Sequence, residues 1–267
     1  MPDTTLSPLS NSSVQSVNRA LDLLEAFLRL GPEVGLTRIA AELGLNKATA
    51  YRLLSTLEER GYVERAAQGR SYRLGLRAFE LGAYYQSQLQ VRQMALPYLR
   101  DMVAQTGEAA FLCVPEGDMA VCVERVEGNT QVNVFALRVG GHQPLHCGAA
   151  PRALLAGLSE TEIRAYAGRT GLPASTANTI ISLDTLLEDA RCTREQGFAV
   201  SRDDATLGIS AVGSPVFDHT GRVIASISLS GLSSRFDPSR AAELGRLTAD
   251  AARGLSRQFG YRAEISN

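Results

Sequence analysis

The sequence predicts an α+β protein in two parts: a small helical unit closed by a β-hairpin, then a larger α/β unit with a mainly antiparallel sheet. Three observations carry this prediction. Two amphipathic helical patterns flank Gly44, and a strand–turn–strand pattern follows them directly. From Ala109 onward the apolar spacing changes from a helical period to alternation. The later strands arrive as hairpins with helices before and after them, which argues for an α+β layer arrangement. At 267 residues the chain has length for two domains. The boundaries read as a disordered polar tail over 1–12, a first domain over 13–75, a linker helix over 76–92 and a second domain over 93–262.

In the first part, Val14, Val17, Leu21, Leu24 and Leu28 recur at threes and fours. Residues 14–30 therefore read as an amphipathic helix that supports the next two, capped by Ser12 or Ser13 and stopped at Gly31-Pro32. Thr37 is the expected N-cap of a second helix, with Ile39, Ala40 and Leu43 facing inward. Gly44 supplies the positive φ of a tight turn, and Leu45 plugs the corner. Asn46 caps a third helix over 47–59. On that helix Ala50, Leu53, Leu54 and Leu57 gather on one side, and Ala48, Tyr51, Arg52 and Ser55 on the other, flanked by Lys47 and Thr49. Residues 61–65 and 71–74 then read as a hairpin with a polar turn between them.

A helix–glycine turn–helix with a hairpin behind it is the pattern of a winged helix-turn-helix, whose second helix enters the major groove of DNA near its N-terminal end. The outer side of the third helix has what base reading requires. Thr49, Tyr51 and Arg52 can reach base edges, and Ala48 permits close approach. Asn46 and Lys47 would anchor phosphate, and Arg65, Arg70 and Arg73 on the wing would meet phosphate or the minor groove. The whole chain carries a net charge of only −1. Between Arg38 and Arg77, however, eight basic residues stand against four acids. A local basic patch on a near-neutral chain suits a DNA-binding unit joined to one that is not. A solvated arginine-rich hairpin would give the same count, so charge alone does not decide.

Leu76, Phe79, Leu81 and Gly82 open a further helical stretch towards Leu89, with apolar positions broad enough for a linker and dimer contact; a packed connector fits equally. The next helix is expected over 94–105, with Pro97 in its first turn and Gly107 at its end. Three strands follow over 109–117, 119–128 and 130–140, with Leu112, Val114, Val121, Val123 and Val126 towards the interior. Residues 142–147 read as a loop, 149–156 and 161–166 as helices, 170–178 as a loop and 183–196 as a helix. A short strand over 198–201, a hairpin over 209–217 and 223–229, and a helix over 238–259 complete the chain.

Several function classes lose support on composition. No apolar run is long enough to span a bilayer, the polar N-terminal stretch is no secretory signal, and four cysteines lie scattered without CxxC spacing. The expectation is a cytoplasmic protein with reduced thiols and no membrane partner. His142, His146 and Cys147 share one short stretch, but a closed metal site needs about four ligands and no further cluster accompanies them. A Cys147–His pair lacks an identifiable orienting group, and the paired Asp203-Asp204 suits a solvated turn or a hydrogen-bonding role. No phosphate-binding glycine loop is present, so neither a cofactor nor an enzyme is implied. The strand ASISLSG instead aligns Ser226, Ser228 and Ser230 on one face, a row of hydroxyls suited to a carboxylate- or hydroxyl-bearing ligand; close packing of small residues is the competing account.

The ordered set VQSVNRALDLLEAF, LTRIAAELGLNKATAYRLLSTLEERGYVER, SYRLGLRAFELG, LRVGGHQPLHC, EQGFAVSRDD and SAVGSPVFDHTGRVIASISLSG resembles the IclR family of bacterial transcription regulators, from Val14 to roughly Gly260. The resemblance implies an N-terminal winged helix-turn-helix, a linker helix, and a C-terminal α/β effector-binding domain of GAF/profilin-like form, in dimers or dimers of dimers. In similar proteins the serines of the matching segment, here Ser228 and Ser230, contact organic-acid effectors. With the matching loop and strands, the candidate effector set is Ser228, Ser230, Ala211, Asp203 and Cys147. Two departures stand out. A TALGKA-like run of the family reads here GAAPRA, with Pro151 and Arg152 in place of glycine and lysine. Ala211 and Ser201 stand where some members have cysteine and aspartate.

The expected function is an effector-responsive regulator of a catabolic or metabolic operon. Its partners would be double-stranded operator DNA, a small organic or aromatic acid, and further copies of itself. An enzyme with an appended winged helix, and an adaptor whose winged helix meets a protein, remain the alternatives.

Overall fold

The structure is a computed structural model that describes residues 14–262 apart from 67–68, 70, 89 and 130–137. The expected tail over 1–12, Arg70 and most of the expected strand over 130–140 lie outside the described residues. Compact units divide at Gln88, with Met1–Gln88 forming one and Leu89–Asn267 the other.

The first unit runs α1 (Gln15–Leu30), β1 (Val34–Gly35), α2 (Leu36–Glu42), α3 (Lys47–Glu59), β2 (Val63–Arg65), β3 (Ser71–Leu74) and α4 (Leu76–Gln88). One core of Leu23, Phe27, Val34, Ile39, Leu54, Leu57, Val63 and Tyr72 holds it together. The turn between α2 and α3 explains why glycine is needed. Gly44 takes φ +61°, its N–H donates to the carbonyl of Ala41, and the N–H of Leu45 donates to that of Ala40. That pair of bonds is a Schellman closure, which satisfies carbonyls the helix end leaves open. Asn46 caps α3 as expected, its side chain accepting from the N–H of Thr49 at 2.8 Å.

Three expectations in this unit change. The N-cap of α1 is Val14, with no side-chain cap. The stripe expected to support α2 and α3 mostly faces outward: Val14, Val17, Leu21 and Leu28 are exposed, while Leu23, Ala26 and Phe27 form the buried face. The helix has two apolar faces, and periodicity cannot say which of them packs inward. Thr37 lies inside α2, whose N-cap is Gly35, because the chain pairs as β1 against β3 (Val34↔Tyr72) immediately before the helix.

The second unit runs α5 (Gln90–Thr106), β4 (Ala109–Glu116), β5 (Met119–Val126), β6 (His142–Pro144), α6 (Ala149–Ala156), α7 (Glu160–Thr170), α8 (Leu183–Gln196), β7 (Ala199–Arg202), β8 (Ile209–Phe217), β9 (Val223–Leu232) and α9 (Pro238–Gln258). The described strands form a six-stranded sheet in the order β6-β5-β4-β9-β8-β7, antiparallel throughout. Alternation along β9 sets the layers. Ala225, Ile227 and Leu229 join α5 and α9 in one core, which also takes Leu112, Val114, Val121, Val123 and Val126 as expected. The opposite face receives Phe111, Cys113 and Cys122 under α6, α7 and α8. Gly213 lets α6 lie directly on β8, since a Cβ there would sit 2.8 Å from the carbonyl of Ala149.

Two further readings are corrected here. α5 begins at Gln90, so Pro97 sits in its interior and not in its first turn. Residues 142–144, read as a loop, are an edge strand paired with β5 (Met119↔Pro144), because a proline costs a sheet least at its edge.

Candidate DNA interface and ligand cavity

The first candidate surface is the outer side of α3. Asn46, Lys47, Ala48, Tyr51 and Arg52 are exposed and Thr49 is half-buried, while Ala50, Leu54 and Leu57 hold the opposite side in the core. The cap fixes the start of α3 but occupies the Asn46 side-chain oxygen, leaving its amide N–H groups as the donors for a phosphate. Thr49 and Arg52 share a groove with Gln15 and Arg19 of α1. The sequence reading missed Arg19, because it treated α1 only as a support.

The wing pairs Val63↔Leu74, Glu64↔Arg73 and Arg65↔Tyr72. Its two described arginines are not free cations. The Arg65 guanidinium donates to Glu58 on α3 at 3.2 Å and lies 5.2 Å from the Tyr72 ring centroid. Arg73 pairs with Glu64 across the hairpin at 2.6 Å. Both pairs are exposed, so either arginine can exchange its carboxylate for a phosphate at small cost.

In the second unit a small cavity lies between β8, β9 and the start of α6. Ser228, Ser230 and Ala211 line it, with Ser201, Pro151 and Thr206 among the other walls. The three aligned serines differ in what they do. Ser226 donates to the carbonyl of Ala150 at 2.8 Å and Ser230 to that of Ser210 at 3.3 Å. Ser228 is 3% exposed; its backbone pairs with β4 and β8 (Phe111↔Ser228, Gly213↔Ser228), and among the described residues its hydroxyl makes no side-chain hydrogen bond. The free space is about 20 Å³, room for roughly one water.

Two of the expected contact residues are not at this cavity. Asp203 takes φ +57° and turns its carboxylate to the N–H of Gly208 at 2.7 Å and the hydroxyl of Ser233 at 2.6 Å. It braces the 203–208 loop from outside. Cys147 is buried behind the cavity, with its sulfur 3.3 Å from Ser175 Oγ and 3.4 Å from the carbonyl of Asp204. Burial pushes its thiol pKa up, so it is no ready nucleophile. His146 is fully buried, with Nδ1 2.6 Å from the Tyr166 hydroxyl and Nε2 3.0 Å from the carbonyl of Pro173. Burial lowers its pKa and pushes that of Tyr166 up to about 12. Among the described residues, no group of three or more His, Cys, Asp or Glu is placed to hold a metal ion.

What sequence reasoning missed is a buried charge cluster behind the cavity wall. Arg152, 4% exposed, donates to Asp189 and to the carbonyl of Val200, and lies 3.2 Å from the Asp204 carboxylate. Ser201, which lines the cavity, donates to Asp204 in turn. Burial pushes the Asp189 pKa up, against the opposing pull of Arg152. The signal in the sequence is the single charged residue in the helix AAPRALLA. An arginine at an interior helix position requires partners that lie far away in sequence.

An exposed reading helix with a wing, joined in one chain to an α/β unit containing a polar-lined cavity, defines a class: DNA-binding regulators with a sensor domain. Comparison with known proteins carries this to a family. The model for the IclR helix-turn-helix domain matches residues 16–67, and that for the bacterial transcriptional regulator IclR C-terminal matches residues 83–257. The HTH-type transcriptional regulator XynR of Escherichia coli K12 is 34% identical over 250 residues, covering 94% of this chain and 99% of that protein. The crystal structure of a regulator of this family from Alicyclobacillus acidocaldarius matches with a TM-score of 0.80 at 31% identity, over 92% of this chain and 98% of its own. An IclR homologue from Microbacterium hydrocarbonoxydans, crystallised with 4-hydroxybenzoate, shares the fold at a TM-score of 0.79 and 22% identity, over 91% of this chain and 100% of its own. The chain belongs to the IclR family of bacterial transcriptional regulators. Its curated relatives are regulators and repressors, not enzymes. No helix among the described residues is long and apolar enough to cross a membrane.

Proposed function

We propose that this regulator reads operator DNA in the cytoplasm through Thr49, Tyr51 and Arg52, with Ala48 allowing close approach. Asn46, Lys47, Arg65, Arg70 and Arg73 supply phosphate contacts. Residues 76–92 link the DNA-binding domain of residues 13–75 to an effector domain over 93–262. A dimer, or a dimer of dimers, presents paired reading helices to a two-fold operator. The large apolar side chains of Leu76, Phe79, Leu81 and Tyr84, left exposed on α4, support such an assembly, as a partner helix would cover them.

The effector is a small organic or aromatic acid held at Ser228, Ser230 and Ala211. The observation that carries this reading is the Ser228 hydroxyl, which stands on the cavity wall and makes no side-chain hydrogen bond among the described residues. A hydroxyl that faces a cavity can donate to, or accept from, a ligand oxygen there. The Microbacterium homologue, crystallised with an aromatic acid, is consistent with such a ligand. As the cavity holds roughly one water, binding opens the 203–208 loop, where Leu207 is 71% exposed. The effector then favours the arrangement with the loop open, and DNA affinity shifts with that population.

A thermal-shift screen of small organic and aromatic acids, 4-hydroxybenzoate included, tests the assignment. A hit should raise the wild-type melting temperature and do so less in Ser228→Ala, by about the 1 kcal/mol of one hydrogen bond. Equal stabilisation of both proteins by every hit removes Ser228 from the site.

A further inference from the structure

A second cavity opens in the larger unit where the C-terminal end of α8, the end of β8 and the C-terminal half of α9 meet. It shares no lining residue with the Ser228 cavity. Its volume is about 590 Å³. Small-molecule sites span roughly 300–1,000 Å³.

The chemistry of its walls is two-sided. The floor is apolar, made by Ala156, Pro215, Ala252 and the ring of Phe217. That ring stacks on Tyr261 with centroids 4.9 Å apart and planes 22° from parallel. Around this floor stand Arg194, Arg253, Arg257 and Arg262, and among the described residues no carboxylate lines the cavity. Arg194 is fixed by donating to the carbonyls of Ala156 at 2.7 Å and Leu158 at 3.0 Å. Arg253 pairs with Asp250, which lies outside the lining. Neither Arg257 nor Arg262 has a carboxylate partner among the described residues. Cations near a helix C-terminus are favoured by its dipole, which accounts for Arg194 and Arg257 singly. The dipole does not account for four arginines from α8, α9 and the C-terminal segment meeting round one apolar hollow.

We propose that this cavity is a second ligand site, separate from the effector cavity, that takes a small anion with a flat apolar body such as an aromatic carboxylate. The body lies on the floor against Phe217, and the carboxylate meets the fork of Arg253 or Arg257, which matches a carboxylate in two parallel hydrogen bonds. The affinity then depends on both parts of the ligand: charge without a ring lacks the floor, and the ring without charge lacks the rim.

Isothermal titration of the full chain with 2-naphthoate and with 2-naphthamide, the same ring system without the charge, tests this. Wild type should bind the carboxylate at one site per chain, at least about tenfold tighter than the amide. Arg253→Gln combined with Arg257→Gln should weaken the carboxylate by a similar factor and leave the amide unchanged. Arg240→Gln combined with Arg246→Gln removes the same charge elsewhere on α9 and should bind like wild type, as should Ser228→Ala. The proposal fails if wild type binds neither probe or holds the amide as tightly as the carboxylate. It also fails if the control pair loses as much as the rim pair, which would mark diffuse charge attraction. Loss in Ser228→Ala alone would put the probe in the effector cavity instead. Circular dichroism of each variant separates loss of the site from loss of the fold.

Discussion

At the scale of residues, the larger unit is held by buried polar groups that reach far along the chain. His146 bridges Tyr166 on α7 and the carbonyl of Pro173 beyond it, and both of its ring nitrogens are engaged. Burial disfavours the charged ring, and its neutral form satisfies both contacts with Nε2–H donating to the carbonyl and Nδ1 accepting from the Tyr166 hydroxyl. Burial holds its pKa below the ordinary 6.5. The unfolded chain therefore takes up a proton more readily than the native one. The stabilisation is complete above the unfolded pKa and is lost as pH falls through about 6.5 towards the lowered native value. Thermal melts at pH 7.5 and 5.5 should show wild type less stable at the acid pH. His146→Asn should melt lower at both and show a shallower acid decline. An unchanged decline in the variant would assign the pH dependence to other groups. Arg152 also reaches far along the chain, as it ties α6 to Asp189 on α8 and to Asp204 beside the cavity. Removing one partner of such a cluster leaves a charge buried alone, which typically costs about 3–5 kcal/mol.

Among the elements, the reading helix and the wing differ in how they carry charge. Arg52 on α3 is exposed, whereas Arg73 on the wing is paired within it, at 2.6 Å from Glu64. If the wing meets DNA as proposed, its pull is restrained by its own carboxylate. Glu64→Gln should tighten DNA binding by about 1.5- to fivefold, the range of an exposed ion pair. The salt dependence should persist. Fluorescence anisotropy at matched ionic strength measures this, and weaker binding by Glu64→Gln would mean that the carboxylate itself serves the interface. Most elements were legible from the sequence because their signals are local. The cap at Asn46, the turn at Gly44 and the alternation along β9 each depend on a few adjacent residues. The readings that changed depend on distant partners. Thr37 lost its cap role to the pairing of β1 with β3, residues 142–144 became a strand only beside β5, and the buried face of α1 was decided by what lay next to it.

For the whole molecule, the proposal joins in one chain a surface that reads DNA and a cavity that takes a ligand. The candidate sites were legible to different depths. The outer face of α3 follows from helical geometry, and the structure exposes most of the side chains that the spacing turned outward. The cavity was legible only as a row of serines. Alternation could align Ser226, Ser228 and Ser230, but only the packing of α6 shows Ser226 bonded to Ala150 and Ser228 left open. Asp203 and Cys147 fell away from the cavity because a positive φ and a buried loop, invisible to pattern, set their directions. The central claim is that α3 reads DNA through the face bearing Arg52. The most direct measurement is fluorescence anisotropy of the purified protein with a duplex from the intergenic region beside its own gene, over a range of salt. Wild type should bind with an affinity that falls steeply with salt. Arg52→Ala should bind roughly 10- to 100-fold more weakly, the worth of one base-reading arginine. Equal binding by both proteins, or binding by neither at any salt, would contradict the account.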